Sequence, residues 1–237
     1  MQKSYINLGC GTVILPCAKP QHHSLLDDEL YVYPLWENVD RNAGEGVDRV
    51  VDLFRYPWPL ESNAYDGALL SHICEHIPHE IRINEGAIDT LIHRKFADKA
   101  SDERLFYFNE MQSRCNELAN LQDGWFAFFA ELYRILTPGA RVHILSPYAW
   151  THAAHSDPTH TRYLNEAVFT HSMMPDNNVP AFHYETGGIQ FQVVRPPVYN
   201  VMPKWMHLID KPEELHDALH THLNVVYDFA IEMECIK

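Results

Sequence analysis

The sequence predicts an α/β protein with a doubly wound, mostly parallel sheet. Several short apolar runs precede residue 73, and each ends in a polar residue or a glycine. Runs of this length are typical of strands buried on both faces, as in parallel sheets. Further along, a longer apolar run of helical length ends in Pro and Gly before another strand-like run. This alternation of strands and helices is typical of α/β domains.

The first strand-like run, residues 5–8, leads into Gly9, Cys10 and Gly11. Glycines separated by one residue let the backbone turn sharply and approach a ligand closely. Gly-x-Gly also occurs by chance in many loops, so the motif gains weight only from the strands around it. We take these three residues as candidates for binding a cofactor.

Acidic residues end the next two runs, at Asp40 and Asp52. A carboxylate at the end of a strand can accept hydrogen bonds from both hydroxyls of a ribose. The alternative for either aspartate is a local turn cap, which is common for Asp in loops. We favour a ribose-binding role for Asp40. For Asp52, a ligand contact and a plain turn cap both stay open.

A fourth run, residues 65–72, ends at Ser71 and His72, and Glu75 and His76 open the next helix. Imidazole titrates near neutrality, so His72 or His76 could act as a general base. The alternative is that Glu75 and His76 cap the helix and pack against the edge of the sheet.

Residues 80–124 form a charged insertion with helical character, which includes helices predicted over residues 89–96 and 103–121. The apolar residues of the second helix recur every three or four positions, as in an amphipathic helix. The insertion could be a lid, a homodimer surface or a solvated helical pair. An apolar helix over 124–136 follows, ended by Thr-Pro-Gly, and residues 141–147 are predicted to form a fifth strand.

The loop after this strand is rich in polar and aromatic groups, namely Trp150, His152, His155, Asp157, His160 and Arg162. Imidazoles and a carboxylate are suitable metal ligands, so a metal site over 152–160 is one interpretation. The other is a substrate pocket, in which Trp150, Asp157, His160 and Arg162 hold a polar or anionic group. His155 and His160 are then further catalytic candidates. Beyond this loop, we expect strands over 182–194 and 223–235 and helices over 165–169 and 212–223.

Several short motifs occur in a fixed order, namely residues 7–11, 38–40, 51–53, 57–59, 71–76 and 131–140. This ordered set resembles the class I S-adenosylmethionine-dependent methyltransferases, in particular the small-molecule, type 11-like branch. The resemblance covers about residues 5–80 and 125–165. It implies one domain over residues 1–237, with a seven-stranded Rossmann-like sheet, an antiparallel last strand and a helical insertion after strand 4.

The resemblance also implies S-adenosylmethionine as the cofactor. Asp40 would bind its ribose, Asp52 and Leu53 would contact the adenine, and Ser71 and His72 would face the methyl donor. The usual third glycine and first helix are missing after Gly11. This departure supports an alternative, a protein that binds the cofactor without turnover. A metal-dependent enzyme that uses the loop from His152 to His160 is a third hypothesis.

Composition narrows the range of partners and compartments. A formal charge of −14 argues against a nonspecific grip on nucleic-acid phosphates. Five scattered cysteines without a C-x-x-C pair indicate reduced thiols, and no signal peptide or bilayer-spanning run is evident. We therefore expect a cytoplasmic protein without membrane contact. The resemblance implies that it methylates a small or medium-sized acceptor.

Overall fold

A computed structural model of the chain describes residues 4–17, 21–33, 35–84, 86, 101–121, 123–173 and 188–237. The strands in these ranges are β1 (Tyr5–Leu8), β2 (Trp36–Asp40), β3 (Arg49–Val50), β4 (Tyr65–Ser71), β5 (Leu136–Pro147), β6 (Phe191–Val193), β7 (Val198–Val201) and β8 (Val226–Cys235). The α-helices are α1 (Asp28–Val32), α2 (Ser101–Ala119), α3 (Gly124–Ile135), α4 (His152–Ser156), α5 (Glu166–Met173) and α6 (Pro212–Thr221). Shorter 3₁₀ helices cover Gln21–His23, Cys74–His76 and Pro203–Leu208.

The strands form one sheet in the order β3-β2-β1-β4-β5-β8, and β6 and β7 share the outer edge of β8. All pairs among β1 to β5 are parallel, whereas β8 runs antiparallel to β5. The predicted fold class and the antiparallel last strand are therefore confirmed. The seventh position of the expected sheet is occupied by two short strands. The strand order reverses between β1 and β4, which is where open α/β sheets bind ligands.

Both faces of the sheet are covered, as a doubly wound fold requires. Ala68 and Leu70 of β4 belong to the larger core cluster, which includes most of α3. Leu69 points to the opposite face and packs in a second cluster with Leu15 and Tyr31. Successive side chains of a strand alternate between faces, so a strand covered on both sides is apolar throughout.

A buried carboxylate anchors α3. Glu131 is fully buried and accepts hydrogen bonds from the Trp58 backbone N–H at 2.7 Å, from Arg114 Nε at 3.1 Å and from Arg134 at 2.7 and 3.0 Å. Burial alone raises the pKa of Glu131, but the two arginines and the N–H more than offset it and lower the pKa. Because Arg114 lies on α2, this cluster ties the described part of the insertion to the sheet.

Some predicted elements differ in extent. The run over residues 47–53 forms only the two-residue β3, because Asp52 caps a turn that directs the chain away from the sheet. Strand β5 begins already at Leu136, since residues 137–140 bulge between two paired stretches of the ladder with β4. On α2, Leu118 is buried but Phe106 and Phe108 are exposed, so the predicted apolar face is only partly used.

Two predictions fall wholly or partly outside the described residues, namely the helix over 89–96 and the first part of the strand over 182–194. None of the helices in the described parts of the chain combines the length and apolar composition needed to cross a bilayer.

Candidate functional site

The turn after β1 has the backbone shape that its glycines allow. Gly9 and Gly11 have φ of +70° and +51°, a region that residues with a Cβ rarely adopt. A Cβ on Gly9 would overlap Cδ1 of Ile73. The thiol of Cys10 is buried under the turn, and burial together with the charge of Asp40 raises its pKa to about 11. Cys10 therefore supplies backbone and packing, not a reactive thiolate.

Asp40 at the end of β2 braces this turn. Its Oδ2 accepts a hydrogen bond from the Gly11 N–H at 3.0 Å, and its Oδ1 accepts one from the Asn42 N–H at 2.9 Å. The second bond is the Asx turn that the sequence offered as the alternative. Each carboxylate oxygen can accept a further bond, so the side chain keeps acceptor capacity for a ligand.

The carboxylate of Asp52 also makes local contacts and keeps further acceptor positions. Its Oδ1 caps the turn through the Phe54 N–H at 3.1 Å, and its Oδ2 lies 3.3 Å from Nε of Arg55. Leu53 beside it is buried. The turn-cap geometry is thus present, and it leaves acceptor positions on the carboxylate.

A cleft of about 560 Å³ lies over the carboxyl ends of these strands. Its lining includes Gly9, Asp40, Asp52, Leu53, His72 and His76. The structure therefore brings together most of the predicted cofactor residues at the point where the strand order reverses. Phe54, Asn42 and Thr159 also line it. These three residues carry no motif of their own, so no sequence pattern predicted them.

Ser71 is not among the described residues that line this cleft. Its Oγ lies 2.6 Å from Nε2 of the buried His23, whose Nδ1 is 2.7 Å from the Tyr31 hydroxyl. The side chain of Ser71 thus joins a polar chain on the opposite face of the sheet. A contact between Ser71 and the cofactor could come only through its backbone.

His72 stands at the junction of two cavities. Its φ of +53° is unusual for a residue with a side chain. It lines both the cleft and a second cavity of about 600 Å³, and so does His76. Burial lowers the pKa of His72, but Glu75, whose Oε1 lies 3.4 Å from Nδ1, raises it by more, and the net shift is upward.

The second cavity holds part of the histidine-rich loop. Asp157 and His160 line it together with Glu75 and Asp228, and no lysine or arginine does so among the described residues. Its lining is therefore negatively charged. Of the polar or anionic group expected from the sequence, this charge disfavours the anionic one, and it suits a cationic ligand better.

The remaining loop histidines point elsewhere. Nδ1 of His152 lies 2.8 Å from the Ser156 hydroxyl, and Nε2 of His155 donates to the Ala149 carbonyl at 3.0 Å. The ring of His155 also stacks on Tyr163. The loop histidines that one interpretation grouped as a metal site are therefore not brought together, and of these only His160 lines the second cavity. Trp150 is 49% exposed and lines neither cavity.

Arg162 lines neither of these two cavities, and its side chain connects separate segments of the chain. Its guanidinium forms an ion pair with Asp123 and donates to the carbonyls of Ile77 at 2.7 Å and Pro78 at 3.0 Å. The side chain is 12% exposed and also lies over the ring of Trp125. These contacts engage the guanidinium, although Arg162 also lines a third cavity of about 580 Å³, so its predicted role in substrate binding stays a prediction.

No family model matches the chain, and no curated protein matches it in sequence. Several solved structures are similar in fold. One is a SAM-dependent methyltransferase from Archaeoglobus fulgidus, with 13% identity, a TM-score of 0.46 and coverage of 98% of this chain and 86% of that one. Another, from Mesorhizobium loti, is an S-adenosylmethionine-dependent methyltransferase with 10% identity, a TM-score of 0.42 and coverage of 98% and 90%. The N-methyltransferase NodS from Bradyrhizobium japonicum has 6% identity, a TM-score of 0.44 and coverage of 99% and 86%. At these identities and TM-scores, the function of this chain depends on its own site.

Proposed function

We propose that residues 1–237 form one domain that binds S-adenosylmethionine and transfers its methyl group to a small or medium-sized polar acceptor. The observation that carries this proposal is the convergence of Gly9, Asp40 and the pair Asp52-Leu53 on one cleft. These residues follow three different strands, and they meet at the switch point of a parallel sheet, where such folds bind nucleotide ligands.

The cleft residues fit such a cofactor in chemistry and shape. Asp40 retains acceptor positions for the ribose hydroxyls because each of its oxygens has only one hydrogen bond. Leu53 offers an apolar surface to an adenine ring, and Asp52 an acceptor for its amino group. The absence of a Cβ on Gly9 lets the backbone approach the ligand closely.

When bound, the cofactor supplies an electrophilic methyl group on a sulfonium. The contribution of this chain is mainly to hold the acceptor in line with that methyl group. The second cavity supports this role because His72 and His76 line both spaces. An acceptor beside Asp157 and His160 would lie across these histidines from the cofactor. His72 or His76 could accept a proton from an acceptor that must lose one.

Calorimetric titration of the purified chain with S-adenosylmethionine and S-adenosylhomocysteine tests the proposal, with ATP as a ligand that shares only the adenosine part. We expect dissociation constants in the micromolar range for the first two and much weaker binding of ATP. No binding of either adenosyl compound would refute the proposal. Binding without methyl transfer to any acceptor class would instead favour the non-catalytic alternative.

A further inference from the structure

Three potential metal ligands meet at the boundary of the two cavities. Glu75 and His76 come from the 3₁₀ helix after β4, and His160 comes from the loop after β5. One ligand atom from each residue lies within 4.8 Å of the others. The rings of His76 and His160 contact each other edge to face, with centroids 4.7 Å apart. Of the loop residues considered from the sequence as metal ligands, only His160 belongs to this cluster.

Each imidazole in the cluster has its outer nitrogen occupied. Nδ1 of His160 donates to the carbonyl of Ala154 at 2.9 Å. The hydroxyl of Thr159 donates to Asp157 at 2.6 Å, so its oxygen can accept from Nδ1 of His76 at 3.1 Å. With Nδ1 of each ring bonded in this way, Nε2 is the atom left to face an ion, and Nε2 of His160 lies 3.9 Å from Oδ2 of Asp157. Metal-binding histidines in proteins are held in this way by outer hydrogen bonds.

Glu75 completes the set with an unsatisfied oxygen. The residue is 2% exposed, and its Oε2 accepts from the buried Ser146 hydroxyl at 3.0 Å. Its Oε1 is buried and has no hydrogen bond among the described residues. Nδ1 of His72 lies 3.4 Å away but outside hydrogen-bond geometry. This 3.4 Å ion-pair contact with His72 satisfies the buried oxygen only weakly, and a metal ion would bind it more closely.

The surroundings add to the case for a cation. Asp157 and Asp228 line the same cavity. The loop segment 159–162 is hydrogen-bonded to the backbone of Glu75, since the N–H groups of Thr161 and Arg162 donate to its carbonyl at 2.9 and 3.1 Å. The ligands are thus held on a braced backbone, while the cavity gives an ion access from solvent.

We propose that Glu75, His76 and His160 bind one divalent transition-metal ion, with Zn²⁺ as the best match. Two imidazoles and one carboxylate suit Zn²⁺, whereas Mg²⁺ and Ca²⁺ prefer oxygen ligands only. Bonds of about 2.0–2.1 Å require ligand atoms about 3.4 Å apart in a tetrahedral site, so small side-chain rotations must close the cluster. Three protein ligands leave a fourth position open toward the cavity. If the proposed function holds, metal binding would occupy His76 and leave His72 as the candidate base, but the metal site does not depend on that function.

The test is a Zn²⁺ titration of the chelator-treated full chain against a chromophoric competitor, without any cofactor. We expect one tight site per chain, and Co²⁺ in its place should give the visible absorption bands of a tetrahedral ion. His76→Ala and His160→Ala should each weaken binding by more than about 100-fold. Ser146→Ala removes only an outer partner and should cost about 10–100-fold.

The controls address the 16 histidines of the chain, which could bind zinc adventitiously. His152→Ala removes an outward-facing histidine of the same loop. His220→Ala breaks the ring contact with His216 on α6, an exposed pair one turn apart. Both variants should bind Zn²⁺ as the wild type does. Circular dichroism and melting temperature show whether each variant folds. If His160→Ala does not fold, His76→Ala, at a partly exposed position, tests the site alone.

Two results would overturn the proposal. One is the absence of a tight site in the wild type. The other is a site that survives both His76→Ala and His160→Ala, or that is lost in His152→Ala or His220→Ala. Because the readout is metal binding alone, a failure here is distinct from a failure to bind S-adenosylmethionine.

Discussion

Replacing Asp40 by Asn tests the proposed ribose contact with little change of shape. Each carboxylate oxygen already accepts one backbone N–H, from Gly11 and Asn42. In the Asp40→Asn variant the side-chain NH₂ faces one of these N–H groups and cannot accept from it, and the negative charge is lost. One charge-assisted bond to a ribose hydroxyl is then lost, worth about 1.5–3 kcal/mol. The dissociation constant for S-adenosylhomocysteine should therefore rise about 10- to 150-fold.

The assay is calorimetry at constant salt, with Asp217→Asn on the exposed face of α6 as the matched control, expected to change affinity less than about twofold. Repeating both titrations with an analogue that lacks the ribose hydroxyls separates the contact from damage to the turn. With that analogue the penalty of Asp40→Asn should largely vanish, because the two changes remove the same interaction. A folded Asp40→Asn variant that binds the natural ligand as tightly as the wild type would refute the assignment and leave Asp40 as a turn cap.

Three further predictions concern the framework around the site. Glu131→Gln should lower the free energy of unfolding by about 3 kcal/mol in guanidinium titrations, because the fully buried carboxylate is lost from its ion pairs with the partly buried Arg114 and Arg134; a loss under about 1 kcal/mol would contradict this. Burial raises the pKa of Asp123, but the Trp125 N–H, His79 and Arg162 lower it by more. The ionised Asp123 therefore stabilises the fold at pH values above its pKa in the unfolded chain, and this contribution is lost as the pH falls through its pKa in the folded chain. The stability gap between wild type and Asp123→Asn should then be present at about pH 6 and shrink below about pH 4, and a gap of constant size would count against it. Gly9→Ala should lower the melting temperature more than Gly139→Ala, since both glycines have positive φ but only Gly9 lacks room for a Cβ; equal effects would show that the overlap with Ile73 is relieved freely.

Much of the fold followed from local patterns. The helix predicted over 124–136 is observed as Gly124–Ile135, and the helix over 212–223 as Pro212–Thr221. Both are stretches whose start or end carries a clear signal, such as Pro at the first turn. The bulge before Arg141 was not predictable, because it depends on how β5 pairs with β4. The exposure of Phe106 likewise depends on what surrounds α2, and spacing along the helix does not contain that information.

The candidate site also contains residues that local patterns predicted and residues whose placement depends on tertiary contacts. Gly9, Asp40 and Asp52 were identified from sequence because each directly follows a strand, and parallel strands end at one edge of the sheet. Their roles toward a cofactor stay predictions. The histidine-rich loop could not be interpreted from sequence, since residue type alone does not tell which side chains turn inward. Arg162 shows the difficulty, because its ion pair with Asp123, from another part of the chain, could not be predicted from the loop sequence.

By itself, the sequence determined the strands, the glycine turn and the acidic residues at the strand ends, because these depend on periodicity and on backbone preferences within a few residues. Only the tertiary structure decided that His160 meets Glu75 and His76, about 85 positions away. That meeting depends on the packing of the loop after β5 against the 3₁₀ helix after β4, through hydrogen bonds from Thr161 and Arg162. Contacts of this kind form between segments that are distant along the chain, so no local pattern contains them.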